Sequence, residues 1–212
     1  GGIRHHVQAA RNHRVGVTPG PMSMEDSADT IAAYTSACAF FGERLATVTD
    51  LDWERPTPCE GWDVRTLVAH VVTGEALVAQ VLTGGGSWDA TVDPSVLGLN
   101  PMAAWRGTAL AALDAASGEG VLDAIHPHAA GDLPGGVIVG FRVTDNLVHG
   151  WDLATACGTD VELPDGLSEL CLDFWMPFAG SDGMGAHFDA PVMPPEGASP
   201  GVRLLSFLGR RP

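Results

Sequence analysis

Apolar residues recur every three to four positions along four long segments of the chain, which is the pattern of amphipathic helices. The pattern predicts helices over residues 26–48, from 63 to the glycine triplet at 84–86, over 101–117 and over 139–157. Residues that favour helix ends support three of them: Asp63 opens the second helix, Asn100 opens the third, and Gly158 follows the fourth. Four such helices with few strand signals predict an all-α helical bundle.

The segments around these helices are irregular. Glycine and proline punctuate residues 121–140, which predicts a long loop or a small hairpin before the fourth helix. Beyond the fourth helix, we expect a fifth from Asp165, as its cap, to Phe178, and then a short C-terminal helical extension over 202–208.

The first 21 residues differ in composition from the rest of the chain. Residues 1–21 carry three arginines and no acid, so we expect a flexible upstream extension or a remnant of expression cloning. Residues 22–212 are expected to form a single helical bundle domain.

Charge and cysteine content narrow the function classes. The formal net charge is −15 and all eleven basic residues are arginines, so the surface should repel nucleic acid and anionic lipid. No apolar run is expected to reach the length of a membrane span, and no secretory signal is recognisable. The four cysteines show no CxxC pair, which favours a reduced, cytoplasmic protein. The expected oligomeric state is a monomer or a homodimer.

The fourth predicted helix carries candidate chemistry. Asp145 and His149 are four residues apart and share one half-apolar face, so both need polar partners. A divalent metal ion would serve both, and His70, in the apolar stripe of the second helix, offers a third ligand. Two other interpretations stay open at this point. A histidine on an apolar face is often only hydrogen-bonded, and a D-x-x-x-H pair is often only an ion pair.

The chain resembles a known family through PTPCEGWDVRTLVAH at 56–70 and LVHGWDLATACG at 147–158. Both are similar to the N-terminal domain of the mycothiol-dependent maleylpyruvate isomerases, within the DinB/YfiT-like metalloenzyme superfamily. The ending RLLSFLGRRP resembles a short actinobacterial subfamily of metal-binding proteins. The resemblance covers roughly 26–212 and implies a DinB-like four-helix bundle that holds one metal ion.

The resemblance implies His70, Asp145 and His149 as the metal ligands. The isomerases have glutamate where this chain has the shorter Asp145, and they carry a further C-terminal domain for which this chain is too short. Their substrate and reaction are therefore not expected to transfer. Arg142, one turn before Asp145, is a candidate for binding an anionic substrate or a thiol cofactor, or else it pairs with a surface acid.

Several other residues have two interpretations each. Asp152 either orients a histidine ligand or is a surface charge. Trp62 is interpreted as a core anchor and Cys59 as a structural thiol, although a helix N-terminus can activate a cysteine. His126, His128 and His187 are expected to be exposed and idle, although one of them could reach the metal.

These features predict a metal-dependent transferase or isomerase that uses a small thiol, with mycothiol as the candidate that the family implies. Zn²⁺ is the expected ion, with Ni²⁺, Mn²⁺ or Fe²⁺ as alternatives, because a zinc-bound thiol loses its proton at neutral pH. The substrate would be a small electrophile. The alternatives are a metal-dependent hydrolase or lyase that uses activated water, and a non-enzymatic protein that binds metal or a small molecule. No catalytic residue is assigned.

Overall fold

The computed structural model describes residues 27–86, 91–179 and 188–212. The described residues form six α-helices: α1 (Ser27–Leu45), α2 (Val64–Leu82), α3 (Pro101–Ala116), α4 (Gly135–Ala156), α5 (Asp165–Trp175) and α6 (Pro200–Phe207). Short 3-10 turns over Pro94–Leu97 and Met176–Phe178 precede α3 and continue α5. The predicted extension at 1–21 lies outside the described residues.

Helices α1 to α4 form the predicted bundle. The most extensive packing is between α1 and α4 and between α2 and α3, and α2 also contacts α4. Large side chains from three of these helices are fully buried between them, including Phe41, Leu67 and Leu147. The all-α prediction is confirmed, and the packing of α2 against α4 brings the candidate residues of the two helices to one side of the core.

The capping predictions for α2 and α3 are confirmed. The Asp63 carboxylate accepts a hydrogen bond from the Thr66 backbone N–H at 2.8 Å, and the Asn100 side chain accepts one from Ala103 at 3.0 Å. Gly158 follows α4 with a φ of 72°, the left-handed conformation that ends helices. The first helix ends at Leu45, three residues before the predicted end.

Helix α4 begins at Gly135, four residues before the predicted start at Val139. The predicted loop over 121–140 includes the two glycines at 135 and 136. In the structure their backbone N–H groups donate to the carbonyls of Ala124 and Leu122 at 2.9 and 2.8 Å. Because the preceding loop satisfies these first-turn donors, the helix starts there with no side-chain cap.

The preceding loop contains the small hairpin that was one of the two predictions for it. Strand β1 (Ile125–His126) pairs antiparallel with β2 (Leu133–Pro134), with Ile125 opposite Pro134. Both strands have only two residues, so the hairpin adds little sheet to the helical fold.

The C-terminal elements differ slightly from prediction. Helix α5 becomes a 3-10 turn after Trp175 rather than running to Phe178, because Pro177 cannot donate a helical hydrogen bond. Asp165 is the first residue of α5 and does not cap it, so that prediction is wrong. Helix α6 starts at Pro200, two residues early, with Ser199 as its cap, and it packs against α5.

Helix α2 corrects one expectation about membranes. By length and composition alone, its 19 residues are apolar enough to cross a bilayer, with a mean hydropathy of 1.2. The expectation that no apolar run reaches this length is therefore wrong. The helix is this apolar because it packs against both α3 and α4, and 56% of its apolar stretch is buried inside the protein.

Candidate metal centre

Helices α2 and α4 bring His70, Asp145 and His149 together. One donor atom from each residue lies within 4.8 Å of the other two. Nε2 of His70 lies 3.5 Å from Oδ2 of Asp145. Ligands around a tetrahedral zinc ion, at bond lengths of about 2.0–2.1 Å, lie roughly 3.3–3.5 Å apart. The three residues therefore fit a divalent ion after small side-chain adjustments.

The three side chains differ in exposure. The His149 side chain is 11% exposed, whereas those of His70 and Asp145 are 29% and 24% exposed. The cluster is therefore closed on the side of His149 and open to solvent on the other. Three protein ligands with one open side correspond to a catalytic type of zinc site, because structural sites take four protein ligands.

Asp152 supports His149 from behind. Its fully buried carboxylate has Oδ2 at 3.0 Å from Nδ1 of His149. Since an ionised carboxylate can only accept, Nδ1 carries the proton and Nε2 is the nitrogen left for a metal. Asp152 is therefore not a surface charge; it is buried and orients the His149 ring.

Arg210, near the C-terminus, completes this support. Its Nε and Nη2 atoms donate to the two oxygens of Asp152 at 3.0 and 2.8 Å, and the residue is buried. Sequence reasoning missed this role. The only available signal was the ending RLLSFLGRRP, which carried part of the family resemblance without pointing to any partner.

The two histidines have opposite pKa shifts. Burial lowers the pKa of His70, and its hydrogen bond with Asp145 offsets this only in part. Burial acts against a charge on His149 too, but hydrogen bonds with Asp152 and Cys59 raise its pKa to about 10. A metal ion that binds His149 must therefore displace a proton, whereas His70 is already neutral at pH 7.

Asp145 is held as a carboxylate. Burial alone would raise its pKa, but the Arg142 guanidinium and the hydrogen bond with His70 hold that pKa well below its usual range. Nη1 of Arg142 donates to Oδ2 of Asp145 at 2.5 Å. Asp145, a candidate ligand, is therefore negatively charged near neutral pH and is paired with the guanidinium of Arg142.

Arg142, a sequence candidate for cofactor binding, is buried beneath the cluster. Its guanidinium also donates to Oε1 of Glu75 at 3.0 and 3.2 Å and to the Val71 carbonyl at 3.3 Å. Direct contact with a ligand would require these bonds to break. The structure therefore favours an effect of Arg142 through Asp145. Glu75, which is also buried, was missed because its partners are distant in sequence.

A second set of donors overlaps the first. Cys59, His149 and Asp152 also have donor atoms within 4.8 Å of one another. However, Nη2 of Arg210 lies 3.3 Å from the Cys59 sulfur and 2.8 Å from Oδ2 of Asp152. This guanidinium contacts two of the three donors of the second set, whereas the Arg142 guanidinium contacts only Asp145 in the first set, so the geometry favours the first set.

Trp62 borders the cluster instead of lying deep in the core. Its ring centroid is 4.8 Å from that of His70 and 6.1 Å from that of His149, and the residue is half-buried. An indole here covers one side of the histidine pair and limits the approach of water.

The other histidines lie elsewhere. His126 is buried, contrary to expectation, and its Nε2 lies 3.0 Å from the Val121 carbonyl. His128 stacks near Phe141 with centroids 5.3 Å apart. His187 lies outside the described residues. A groove of about 360 Å³ is lined by Arg55, Pro56, Thr57, Pro58, Thr155 and Ala156, and it contains none of the three candidate ligands.

Comparison with known proteins agrees with the sequence motifs. Residues 34–154 match the family model described as the mycothiol maleylpyruvate isomerase N-terminal domain. Two uncharacterized proteins of Mycobacterium tuberculosis, Rv0738 of strain H37Rv and MT0763 of strain CDC 1551, are each 31% identical over 185 residues. The alignment covers 86% of this chain and 98% of either relative.

Solved structures support the fold. The crystal structure of the mycothiol-dependent maleylpyruvate isomerase superposes with a TM-score of 0.56 at 17% identity, and that of a histidine-to-alanine mutant with 0.57 at 16%. Each superposition covers 71% of this chain and 70% of the isomerase chain. At this identity the likeness establishes a shared fold, and the DinB-like prediction is confirmed.

Proposed function

The chain belongs to the family of the mycothiol maleylpyruvate isomerase N-terminal domain, and from this membership and the site geometry we propose a metal-dependent enzyme that uses a small thiol. The reaction proposed is a transfer or an isomerisation on a small electrophilic substrate, with mycothiol as the thiol. The bundle within residues 22–212 would form one domain and carry the whole metal site.

The observation that carries the proposal is the convergence of His70, Asp145 and His149 with one side open. His70 comes from α2 and the other two residues from α4, so the ligand geometry depends on the packing of two rigid helices. A neutral imidazole, a second imidazole and a carboxylate suit Zn²⁺ first, and they also suit Fe²⁺, Ni²⁺ or Mn²⁺.

The chemistry that a bound divalent ion would supply is the deprotonation of a coordinated thiol at neutral pH. The protein's own residues would do the rest. Asp152, held by Arg210, accepts from Nδ1 of His149 and leaves Nε2 for the ion. Arg142 holds Asp145, and Trp62 covers one side of the histidine pair.

One contact favours a thiol enzyme over a metal-dependent hydrolase or lyase. A hydrolase needs a carboxylate or a histidine that is free to take a proton from water beside the metal. Asp152, whose Oδ2 lies 3.0 Å from Nδ1 of His149, is engaged by both His149 and Arg210. It is therefore poorly suited to act as a general base.

The cysteines support a cytoplasmic location. All four are free thiols: Cys38, Cys59, Cys157 and Cys171. Two of them are buried, where oxidation would be slow, and none is paired. A reducing compartment is also the one that keeps a small thiol cofactor available.

The decisive experiment is a titration of the cobalt-substituted protein with mycothiol. Direct coordination of sulfur to the ion should produce a thiolate-to-cobalt charge-transfer band, which S-methyl mycothiol cannot produce. Metal binding without this band would favour the hydrolase or the non-enzymatic alternative. Failure to bind any divalent ion would exclude the metal centre itself.

A further inference from the structure

A buried charged cluster lies directly beneath the candidate metal centre. Glu75 of α2 is fully buried and accepts hydrogen bonds at both carboxylate oxygens. The Tyr34 hydroxyl donates to Oε2, while Asn146 Nδ2 donates to Oε1 at 2.6 Å. Arg142 adds two further bonds to Oε1, at 3.0 and 3.2 Å. Every polar atom of Glu75 is thus satisfied inside the core.

The cluster reaches the metal centre through Arg142. Its Nη1 donates to Oδ2 of Asp145, the oxygen that also faces His70. Helix α2 makes room for this guanidinium at Gly74, where a Cβ atom would lie only 2.4 Å from Nη1. A side chain at position 74 would therefore displace the cation that joins Glu75 to Asp145.

Stability alone is a weak reason for such a cluster. Burying an ion pair costs desolvation energy that the attraction between the two charges often fails to exceed, and apolar side chains of similar volume commonly do as well. The charges do have one consequence for a neighbouring ion. Glu75 and Asp145 each contribute −1 and Arg142 contributes +1, so the cluster presents a net charge of −1 to the metal centre.

We propose that Glu75 and Arg142 are positioning residues that set the charge which Asp145 presents to a divalent ion. This inference rests on the metal centre proposed above. Arg142 fixes the orientation of the Asp145 carboxylate and withdraws part of its charge. Glu75 anchors Arg142 and balances it, so that the guanidinium does not cancel the negative charge of the ligand.

The substitution Glu75→Gln isolates the charge from the packing. The glutamine Oε1 can still accept from Arg142 and Asn146, and its amide can donate to the Tyr34 hydroxyl, so a hydrogen bond to each partner remains, with the one to Tyr34 reversed in direction. The net charge beneath the centre changes from −1 to zero. The expected result is a loss of Zn²⁺ affinity of about 10–100-fold, the range typical of groups that act through a ligand.

A second change should reverse the first. Adding Arg142→Met to Glu75→Gln restores a net charge of −1, carried by Asp145 alone, so part of the lost affinity should return even though Asp145 has lost the contact that orients it. A purely structural role makes the opposite prediction, since removing both partners disturbs the packing more than removing one. The matched control is Glu43→Gln, the same substitution at an exposed site on α1, which should leave the affinity unchanged.

The test is competition for Zn²⁺ against a chromogenic chelator, with each variant shown to be folded by circular dichroism. Equal affinity of wild type and Glu75→Gln overturns the inference, and so does a double variant no better than the single one. If Glu75→Gln does not fold, the double variant is compared with wild type, and a loss as severe as that of Asp145→Asn overturns the inference. Absence of Zn²⁺ binding by the wild type would instead show that the metal centre itself is wrong.

Discussion

The carboxylate of Asp152 lies 3.0 Å from Nδ1 of His149, three residues earlier on the same helix. This contact leaves Nε2 of the histidine as the nitrogen for an ion in the candidate metal centre, because Nδ1–H donates to the carboxylate. The buried guanidinium of Arg210 holds the carboxylate in turn. One candidate ligand is thus oriented by a chain of contacts that ends at the C-terminal segment.

We predict that the purified protein binds close to one divalent ion per chain and that His149→Ala abolishes this binding. Losing one of three protein ligands should reduce the affinity by more than the ~10–100-fold effect of supporting groups. Elemental analysis after gel filtration measures the metal content, and chelator competition measures the affinity.

The matched control for this prediction is His126→Ala. His126 is also buried, and it loses a hydrogen bond with the Val121 carbonyl, so its removal should cost stability without affecting the metal. Equal Zn²⁺ affinity in wild type and His149→Ala would show that His149 is not a ligand.

The Asp152–His149 contact predicts a weaker metal site in Asp152→Asn. The asparagine can still accept from Nδ1–H, but it lacks the negative charge that makes the imidazole a stronger ligand. The Zn²⁺ affinity should therefore fall by about 10–100-fold. Asp173→Asn, an exposed position on α5, is the control and should bind like wild type. An unchanged Zn²⁺ affinity in Asp152→Asn would mean that the contact has no influence on the metal.

The Arg210–Asp152 contact predicts a large stability difference between two adjacent arginines. Arg210→Met leaves the buried carboxylate of Asp152 without its main cation, so the free energy of unfolding should fall by about 3 kcal/mol. Arg211→Met changes an exposed neighbour and should have almost no effect. Urea denaturation of both variants provides the comparison, and similar midpoints would refute the assigned role of Arg210.

Local signals in the sequence account for most of the fold. Asp63 and Asn100 cap the helices that they were predicted to open, because a helix cap depends on residues within one turn. The start of α4 was missed because loop carbonyls of Leu122 and Ala124 replace the side-chain cap. No local sequence pattern predicts that backbone carbonyls of a preceding loop will accept from the first N–H groups of a helix.

Sequence reasoning proposed the three candidate ligands, whose donor atoms the structure brings together, but it did not find the residues around them. His149 and Asp145 share a helix, so their spacing was visible, and the family motif ending at His70 suggested the third. Glu75 pairs with a residue 67 positions away, and Arg210 with one 58 positions away. Contacts of this kind depend on how helices pack, which periodicity alone does not determine.

The last prediction concerns the charge of the acidic ligand. Asp145→Asn is nearly isosteric, and the asparagine oxygen can still accept from Arg142, so the fold should persist. It removes the negative charge, and a divalent ion held by neutral ligands beside the Arg142 cation should bind much more weakly.

A thermal-shift titration with Zn²⁺ after chelator treatment measures this effect. A ligand that binds only the folded state stabilises it according to occupancy, by about 2.7 kcal/mol at a concentration of 100 times the Kd. The melting temperature of the wild type should therefore rise at Zn²⁺ concentrations that leave the melting temperature of Asp145→Asn unchanged. In the competing interpretation, Asp145 is only an ion-pair partner of Arg142. The substitution then lowers the melting temperature by the same amount with and without Zn²⁺. If the two Zn²⁺ responses superimpose, Asp145 does not bind the ion, and the three-residue metal centre is wrong.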